Sequence, residues 1–429
     1  MATLVEDEDE KGRLVIHGEE MEGGGQILRI SSVIAAIWNK KVVIQSIRGK
    51  RKKPGLRPQH LCGLEFVQSF CGGEMTGLQV GSMEVEYDPK GEFLERILRG
   101  DERVYGHTHV VDVKTAGSCT LIMQTALPCL VASMLLGKGR CSSESKRPRM
   151  TSTEPSSGPG LKQTMVIRGG TDVPFAPLVD YIKLVLAPHL LDRFGIELKA
   201  TVSRRGFFPK GKGEVKVEVG FKSGSEKPPR RGNKASCDER LESRDMDGFR
   251  TVIVCGGSDK GFNPQQRKAF ARIMDKVARE SLAEWIGEGT SFEATTMFDG
   301  ESLSPGLGVV FAAHMQDGRI LGSSTVVNAK GKWQAQLKPC LGELADALRR
   351  GSEVDDHLQD QLLVFMALLR GIHGVRCGRP TMHTRTAVEL MNRMLVGDGV
   401  HFEGLPSDDL GETEAAHIAC TSAGCCGEA

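Results

Sequence analysis

The residue best suited to nucleophilic work in this chain is a histidine next to a helical pattern. In PTMHTRTAVELMNRML, residues 380–395, the spacing Thr386-x-x-Glu389 predicts a capping box that opens a helix at about 386 and leaves His383 immediately upstream of it. The positive end of the helix dipole disfavours imidazolium and keeps that ring neutral. A neutral imidazole nitrogen attacks an α-phosphate to give a phosphoramidate, which is a reactive AMP donor. A lone histidine is more often structural, so the reading depends on its company.

Three segments supply that company. In GEEMEGGGQILRISSVIAAI, Glu22 and three glycines precede a helix that carries Gln26 and Arg29 on one face. Glycines let backbone approach a ligand, and free N–H groups at a helix start attract phosphate oxygens. The stretch RGKRKKPGLR, Arg48 to Arg57, holds six Lys or Arg in ten positions, followed by Gln59 and His60. Cations beside a Pro-fixed turn suit phosphates, and arginine grips one bidentately. In DDHLQDQLLVFMALLR, Leu358, Leu362, Met366 and Leu369 form the apolar stripe of a helix, with Asp360 and Gln361 near its start, off that stripe. There they would place a divalent metal or orient a nucleophile. Each segment also has a plain structural reading, as a turn, a solvated loop and a dipole-favouring carboxylate.

These segments must be held by alternating strands and helices. Residues 14–88 read β-α-β-α-β-β: LVIH, a helix over Gln26–Trp38, VVIQSI, a helix over Pro58–Phe70, then two short extended runs. The order returns over about 107–220, with HVVDV, CTLIMQTALPCLVASMLL, TMVIR, a helix over 176–194 despite Pro188, IELKATV and EVKVEV. Residues 141–164 read as a loop and 222–248 as a charged linker. A β-α-β-β run, ending near 330, reads as a small inserted α/β domain. Helices are expected at 339–350, 355–370 and 386–396, and a patternless, disordered tail from 397. The domain expectation is thus 1–221, 222–330, 331–396 and 397–429.

Composition is that of an ordinary globular protein, with 39% apolar and 26% charged residues in a 429-residue chain. A net charge of +1 leaves any nucleic-acid affinity to a local patch. The twelve cysteines form no CxxC pair and read as reduced intracellular thiols, with no zinc site or disulfide framework. An acidic N-terminus and the lack of 18 uninterrupted apolar residues argue against secretion and membrane spanning.

Taken together, EGGGQILR (22–29), KPGLRPQHL (53–61), AGSCTLIMQTALP (116–128), RGGTDVPFAPLVDYI (168–182), RGFFPKGKGEV (205–215), LQDQL (358–362) and MHTRTA (382–387) resemble the RNA 3'-terminal phosphate cyclase family along nearly the whole chain. The resemblance implies three repeated βαβαββ-like units, a third one lying around 330–396, with a smaller inserted α/β domain. It implies that ATP adenylylates His383, that AMP passes to an RNA 3'-phosphate, and that the 2'-hydroxyl then closes a 2',3'-cyclic phosphate. It implies nucleotide contacts at Glu22, Gln26, Gln124, Phe175, Pro177, His357, Asp360 and Gln361. Phosphate handling falls to Arg29, Arg48, Arg51, Gln59 and His60, with Arg48 and Arg51 the best candidates for the RNA end. Mg2+ or Mn2+ would sit by Glu22 and Asp360.

Two residues depart from the family pattern. His357 stands where relatives commonly place Tyr against adenine, and Lys212 interrupts a run of glycines, changing that turn without touching the catalytic residues. The rival reading is a cyclase-like ribosome-assembly scaffold, whose members lack the nucleophilic histidine; a plain RNA-binding module leaves His383 and the acidic helix without a purpose. KRPR at 146–149 permits nuclear import, so nucleus is expected ahead of cytoplasm. Oligomeric state is left open.

Overall fold

The computed structural model describes residues 4–105, 108–138, 162–222, 246–257, 263–328, 331–406 and 414–425. Most of the expected 141–164 loop and 222–248 linker, the KRPR run and Cys426 therefore lie outside the described residues.

The first unit comprises β1 (Val5–Glu8), β2 (Leu14–His17), α1 (Gly25–Trp38), β3 (Val42–Gln45), α2 (Pro58–Cys71), β4 (Glu74–Thr76) and β5 (Val85–Asp88). Its sheet runs β1-β2-β3-β5-β4, with β2 and β3 parallel and the other pairs antiparallel. Helix α1 is apolar nearly all round, which suits it to a central position, and it packs against α2 and two helices of the other units. Two short helices, α3 (Glu92–Arg99) and α4 (Glu102–Tyr105), lead on.

The second unit has β6 (His109–Asp112), α5 (Cys119–Lys138), β7 (Lys162–Gly169), α6 (Val179–Tyr181), α7 (Ala187–Phe194), β8 (Ile196–Arg204) and β9 (Gly213–Phe221). Its sheet order β6-β7-β9-β8, with one parallel and two antiparallel pairs, repeats the first. Between α6 and α7 a π-helical turn at Ile182–Leu186 precedes Pro188, where a missing N–H breaks the α-helical ladder. Helix α5 is long and apolar enough to cross a membrane, but 78% of its apolar window is buried inside the protein, as in a core helix.

The inserted unit has β10 (Met246–Gly256), α8 (Pro264–Ser281), β11 (Ile286–Asp299), β12 (Gly306–Met315), β13 (Ile320–Val326) and α9 (Trp333–Arg349), with sheet order β11-β10-β12-β13. Its own core joins Phe249, Phe270 and Phe311 to Leu337, Leu341 and Leu344 of α9. The insert therefore runs through Arg349 rather than ending near 330. Its last helix buries four leucines, each worth roughly 2 kcal/mol of transfer energy, against a sheet the linear pattern had already closed.

The third unit is completed by the segment expected to be a tail. It comprises α10 (Gln359–Leu368), β14 (Gly371–Cys377), α11 (Met382–Met394), β15 (Val400–Glu403) and β16 (Ala416–Ser422), with sheet order β14-β16-β15. Val354 makes a single parallel bridge to Cys377, so the leading strand of the repeat survives as one residue pair. The unit thus needs residues well past 396. Ala416, Ile418, Cys420 and Ser422 alternate inward, but small and polar residues make that alternation faint in sequence. One continuous core serves all three units.

Candidate active site

In a βαβαββ unit a strand delivers the chain to a helix start, so helix N-termini collect along one edge of the sheets. Here the first turns of α1, α2, α5, α10 and α11 line a single open cleft of about 960 Å³. Five positive dipole ends facing one space favour a polyanionic ligand.

Every candidate site residue read from the sequence is on this cleft's wall. The first unit contributes Glu22, Gln26, Arg29, Arg48, Arg51, Gln59 and His60; the second Gln124, Phe175 and Pro177; the third His357, Asp360, Gln361 and His383. Sequence reasoning missed Ser324 to Val326 of β13 and Glu343 of α9. Their segments carry only a strand and a helix signal; only the folded position of the insert brings them to the cleft.

His383 lies inside the first turn of α11, one turn beyond where the expected capping box would have left it. Thr381 is the N-cap, its Oγ1 accepting from the Thr384 N–H at 3.2 Å. Gln359 locks that start to α10, its Oε1 accepting from Thr381 N at 3.0 Å and Thr384 Oγ1 at 2.7 Å. Thr386 does not cap: its hydroxyl donates to Met382 O at 2.7 Å and accepts from the Glu22 N–H at 3.1 Å, while Glu389 pairs with Arg393 at 3.1 Å. Thr381 takes the cap because its backbone is extended and Gln359 holds both its N–H and the Thr384 hydroxyl in place.

A two-bond chain sets the histidine tautomer. Gln26 Nε2 donates to Asp360 Oδ2 at 2.8 Å, and Gln26 Oε1 is 3.0 Å from His383 Nδ1. An ionised carboxylate only accepts, so Gln26 turns its NH2 to Asp360 and its carbonyl oxygen to the ring. That oxygen in turn only accepts. In the neutral ring the proton therefore sits on Nδ1 and Nε2 carries the lone pair, on a ring exposed to the cleft. Burial pushes the Asp360 pKa up, opposed by His383 and Arg29.

The cationic side is fixed by its own backbone. Arg51 donates to Glu22 O at 2.6 Å, Glu22 Oε1 at 2.9 Å and Gly23 O at 3.1 Å; Arg48 donates to Lys53 O at 2.6 Å and Gly55 O at 3.1 Å. Gln59 Oε1 accepts from Ser118 N at 3.2 Å, tying α2 to the start of α5. Gly25 is required here, since a Cβ would collide with His60 Nε2 and crowd Arg29. His60 Nδ1 accepts from Arg57 N at 3.3 Å. Burial, helped by Arg29, Arg48 and Arg57, pushes the His60 pKa down to about 3 from 6.5.

The folded state thus refuses a proton that the unfolded chain takes up below pH 6.5. Stability is intact above that pH and falls by ~1.4 kcal/mol per unit as pH drops toward 3. Denaturant melts are expected to show about 2 kcal/mol lost between pH 6.5 and 5, with most of that loss missing in His60→Asn. Parallel losses in both proteins would remove His60 as the cause.

The far side is less charged with cations. Phe175 projects fully exposed at φ +64°, the Pro177 carbonyl accepts from Thr120 Oγ1 at 2.7 Å, and His357 stands edge-on to Tyr181 at 6.0 Å with Glu343 Oε2 3.8 Å away. Lys212 adopts φ +61° in its turn, the conformation glycine takes most easily, and its carbonyl accepts from Arg204 at 2.7 Å. Lys212 is exposed and away from the cleft lining.

Two buried acceptors in the cleft, Glu22 Oε2 and Gln361 Oε1, have no hydrogen-bond partner among the described residues. No group of three or more His, Cys, Asp or Glu side chains suited to a metal occurs among the described residues. That donor set fits a magnesium-type ion carried mainly by substrate phosphates and water, with the free Glu22 oxygen as protein ligand and Asp360 beside it, rather than a closed protein cage.

The family model described as RNA 3'-terminal phosphate cyclase matches residues 20–399. The chain belongs to the RNA 3'-terminal phosphate cyclase family. Cyclase relatives align along most of their length: one from Staphylothermus marinus is 32% identical over 392 residues, covering 91% of this chain and 94% of the relative. Others are from Pyrobaculum neutrophilum, 30% identical over 381 residues (89% and 92%), and Drosophila melanogaster, 28% over 396 residues (92% and 93%). The cyclase match takes in every cleft residue and stops just before β15, the part of the third unit whose sequence pattern is faintest.

Proposed function

We propose that this chain converts an RNA 3'-terminal phosphate to a 2',3'-cyclic phosphate at the cost of ATP, through an AMP adduct on His383. The observation that carries the reading is the Asp360–Gln26–His383 chain, which leaves an unprotonated Nε2 facing a cleft ringed by helix N-termini and arginines.

In the first step the Nε2 lone pair attacks the α-phosphorus of ATP, an N–P bond forms, and the bond to the β-phosphate oxygen breaks to release pyrophosphate. Nδ1–H stays on the ring, hydrogen-bonded to Gln26, so the adduct is a cationic phosphoramidate with a good leaving group. In the second step an oxygen of the RNA 3'-phosphate attacks the same phosphorus and the electron pair returns to Nε2. In the third the 2'-hydroxyl attacks the 3'-phosphorus, losing its proton to solvent or a base, and AMP departs.

Arg29, Arg48, Arg51 and the helix starts neutralise charge that builds on phosphoryl oxygens. A divalent ion, Mg2+ or Mn2+, held by Glu22 and Asp360 would withdraw further charge from those oxygens. Gln124, Gln361, Phe175, Pro177 and His357 contact the nucleotide, while Gln59 and His60 support the phosphate side.

RNA carrying a radioactive 3'-phosphate tests the activity. With ATP and a divalent ion the label becomes resistant to phosphatase and AMP is released; a label that stays phosphatase-sensitive leaves the non-catalytic scaffold as the reading. A nuclear place of action accords with KRPR at 146–149 and is checked by imaging the tagged chain with and without that run.

A further inference from the structure

The cleft has two lips of opposite sign. One carries Glu343 and Asp356 beside His357; the other carries Arg48 and Arg51, and the chain continues outward from them through Lys52 and Lys53. On the cationic lip the inner groups are already engaged: Arg48 and Arg51 hold backbone carbonyls, and Lys50 pairs with Glu20 at 2.7 Å. Lys52 and Lys53 are exposed, and among the described residues neither has a carboxylate partner.

This lip is rigid. Ile47 N donates to Met83 O at 3.0 Å, Gly55 N to Ile47 O at 2.8 Å, Leu56 N to Ser82 O at 2.9 Å and Gly81 N to Leu56 O at 2.8 Å, fastening it to the turn between β4 and β5. Gly55, at φ +75°, lies so close to Gly81 that a Cβ would strike its carbonyl. Two unpaired ammonium groups on a preformed loop outside an anion-binding cleft present fixed positive charge at no ordering cost to the backbone.

We infer that the RNA body 5' of the reacting end leaves the cleft over this lip, with the backbone phosphates next to the terminal one resting on Lys52 and Lys53. The acidic lip repels the same polyanion, so charge selects the direction of exit. The inference deepens the RNA-end reading above and rests on it. Arg48 and Arg51 would hold the end itself, while the two lysines would reward length, since phosphate contacts carry affinity without reading sequence.

The test compares two substrates, a nucleoside 3'-monophosphate, which has a reacting end and no backbone phosphate, and a 3'-phosphorylated single strand of about ten nucleotides, alongside ATP-dependent adduct formation without RNA. In Lys52→Ala/Lys53→Ala the KM for the longer strand is expected to rise roughly tenfold, and its log–log salt slope to flatten by about 1.4, or 0.7 per lost phosphate contact. The KM for the nucleoside 3'-monophosphate and the rate of adduct formation should stay as in the wild type, and Lys52→Arg/Lys53→Arg should restore the longer strand. Equal changes for both substrates, or no change for either, would overturn the exit path while leaving the cyclase reading standing. Failure of the wild type to cyclise either substrate would overturn that reading, and the exit path with it.

Discussion

Alanine in place of His383 lowers ATP-dependent RNA cyclisation by at least about 10^4-fold, because no neighbouring group replaces a lost nucleophile. The ring is exposed and makes one side-chain hydrogen bond, to Gln26, so its removal costs the fold little. ATP binding should persist, since the arginines and helix starts remain. Single-turnover assays on 3'-labelled RNA measure the loss, and equilibrium nucleotide binding measures what is kept. A decrease smaller than tenfold would point to a different attacking group.

Asparagine at 360 lowers adduct formation by roughly 100-fold, the usual scale for removing a group that orients a reacting ligand. Its effect runs through two hydrogen bonds. Without a carboxylate to demand the Gln26 NH2, the amide is free to turn over and present that NH2 to His383 Nδ1, which moves the ring proton to Nε2 and occupies the attacking lone pair.

The same logic predicts a pH dependence. Burial raises the Asp360 pKa, so this carboxyl takes a proton at a pH above the ordinary carboxylate range. Once protonated it donates to Gln26 instead of accepting, and the chain reverses. The wild-type rate should fall as pH falls through that raised value, and Asp360→Asn should be slow throughout with that limb missing. Pre-steady-state adduct formation across pH distinguishes this from a loss of binding; an Asp360→Asn profile with the wild-type acid limb would exclude Asp360 as its source.

Local patterns made much of this architecture readable before folding. Strong alternation in β7, β8 and β9 and the apolar run of α1 identified two repeat units, because those elements bury long, regular stripes. The third unit was hidden for two physical reasons. Its leading strand has shrunk to the Val354 bridge, and its closing strands β15 and β16 are built from small and polar residues with few large apolar groups. Helix α9 was given to the wrong unit because amphipathicity tells that a helix has a buried face without telling which sheet covers it.

The cleft was legible where chemistry and local geometry coincide, as at Glu22–Arg29 and Arg48–His60. The connection from Asp360 to Gln26 to His383 was not, since it joins two units at long range and no sequence spacing encodes it. Glu343 and Ser324 reach the cleft only through the placement of the insert. The cap position differs for a tertiary reason: contact with Gln359 favours Thr381 over the Thr386 to which the capping-box spacing points.

Incubation of the protein with ATP and a divalent ion, without RNA, followed by peptide mapping under alkaline conditions, addresses the chemistry at its source. AMP should be found on the peptide containing Met382 to Arg385, attached to His383 Nε2, stable to alkali and lost in acid as a phosphoramidate is. AMP on a lysine, or an unmodified protein that still cyclises RNA, would contradict the mechanism.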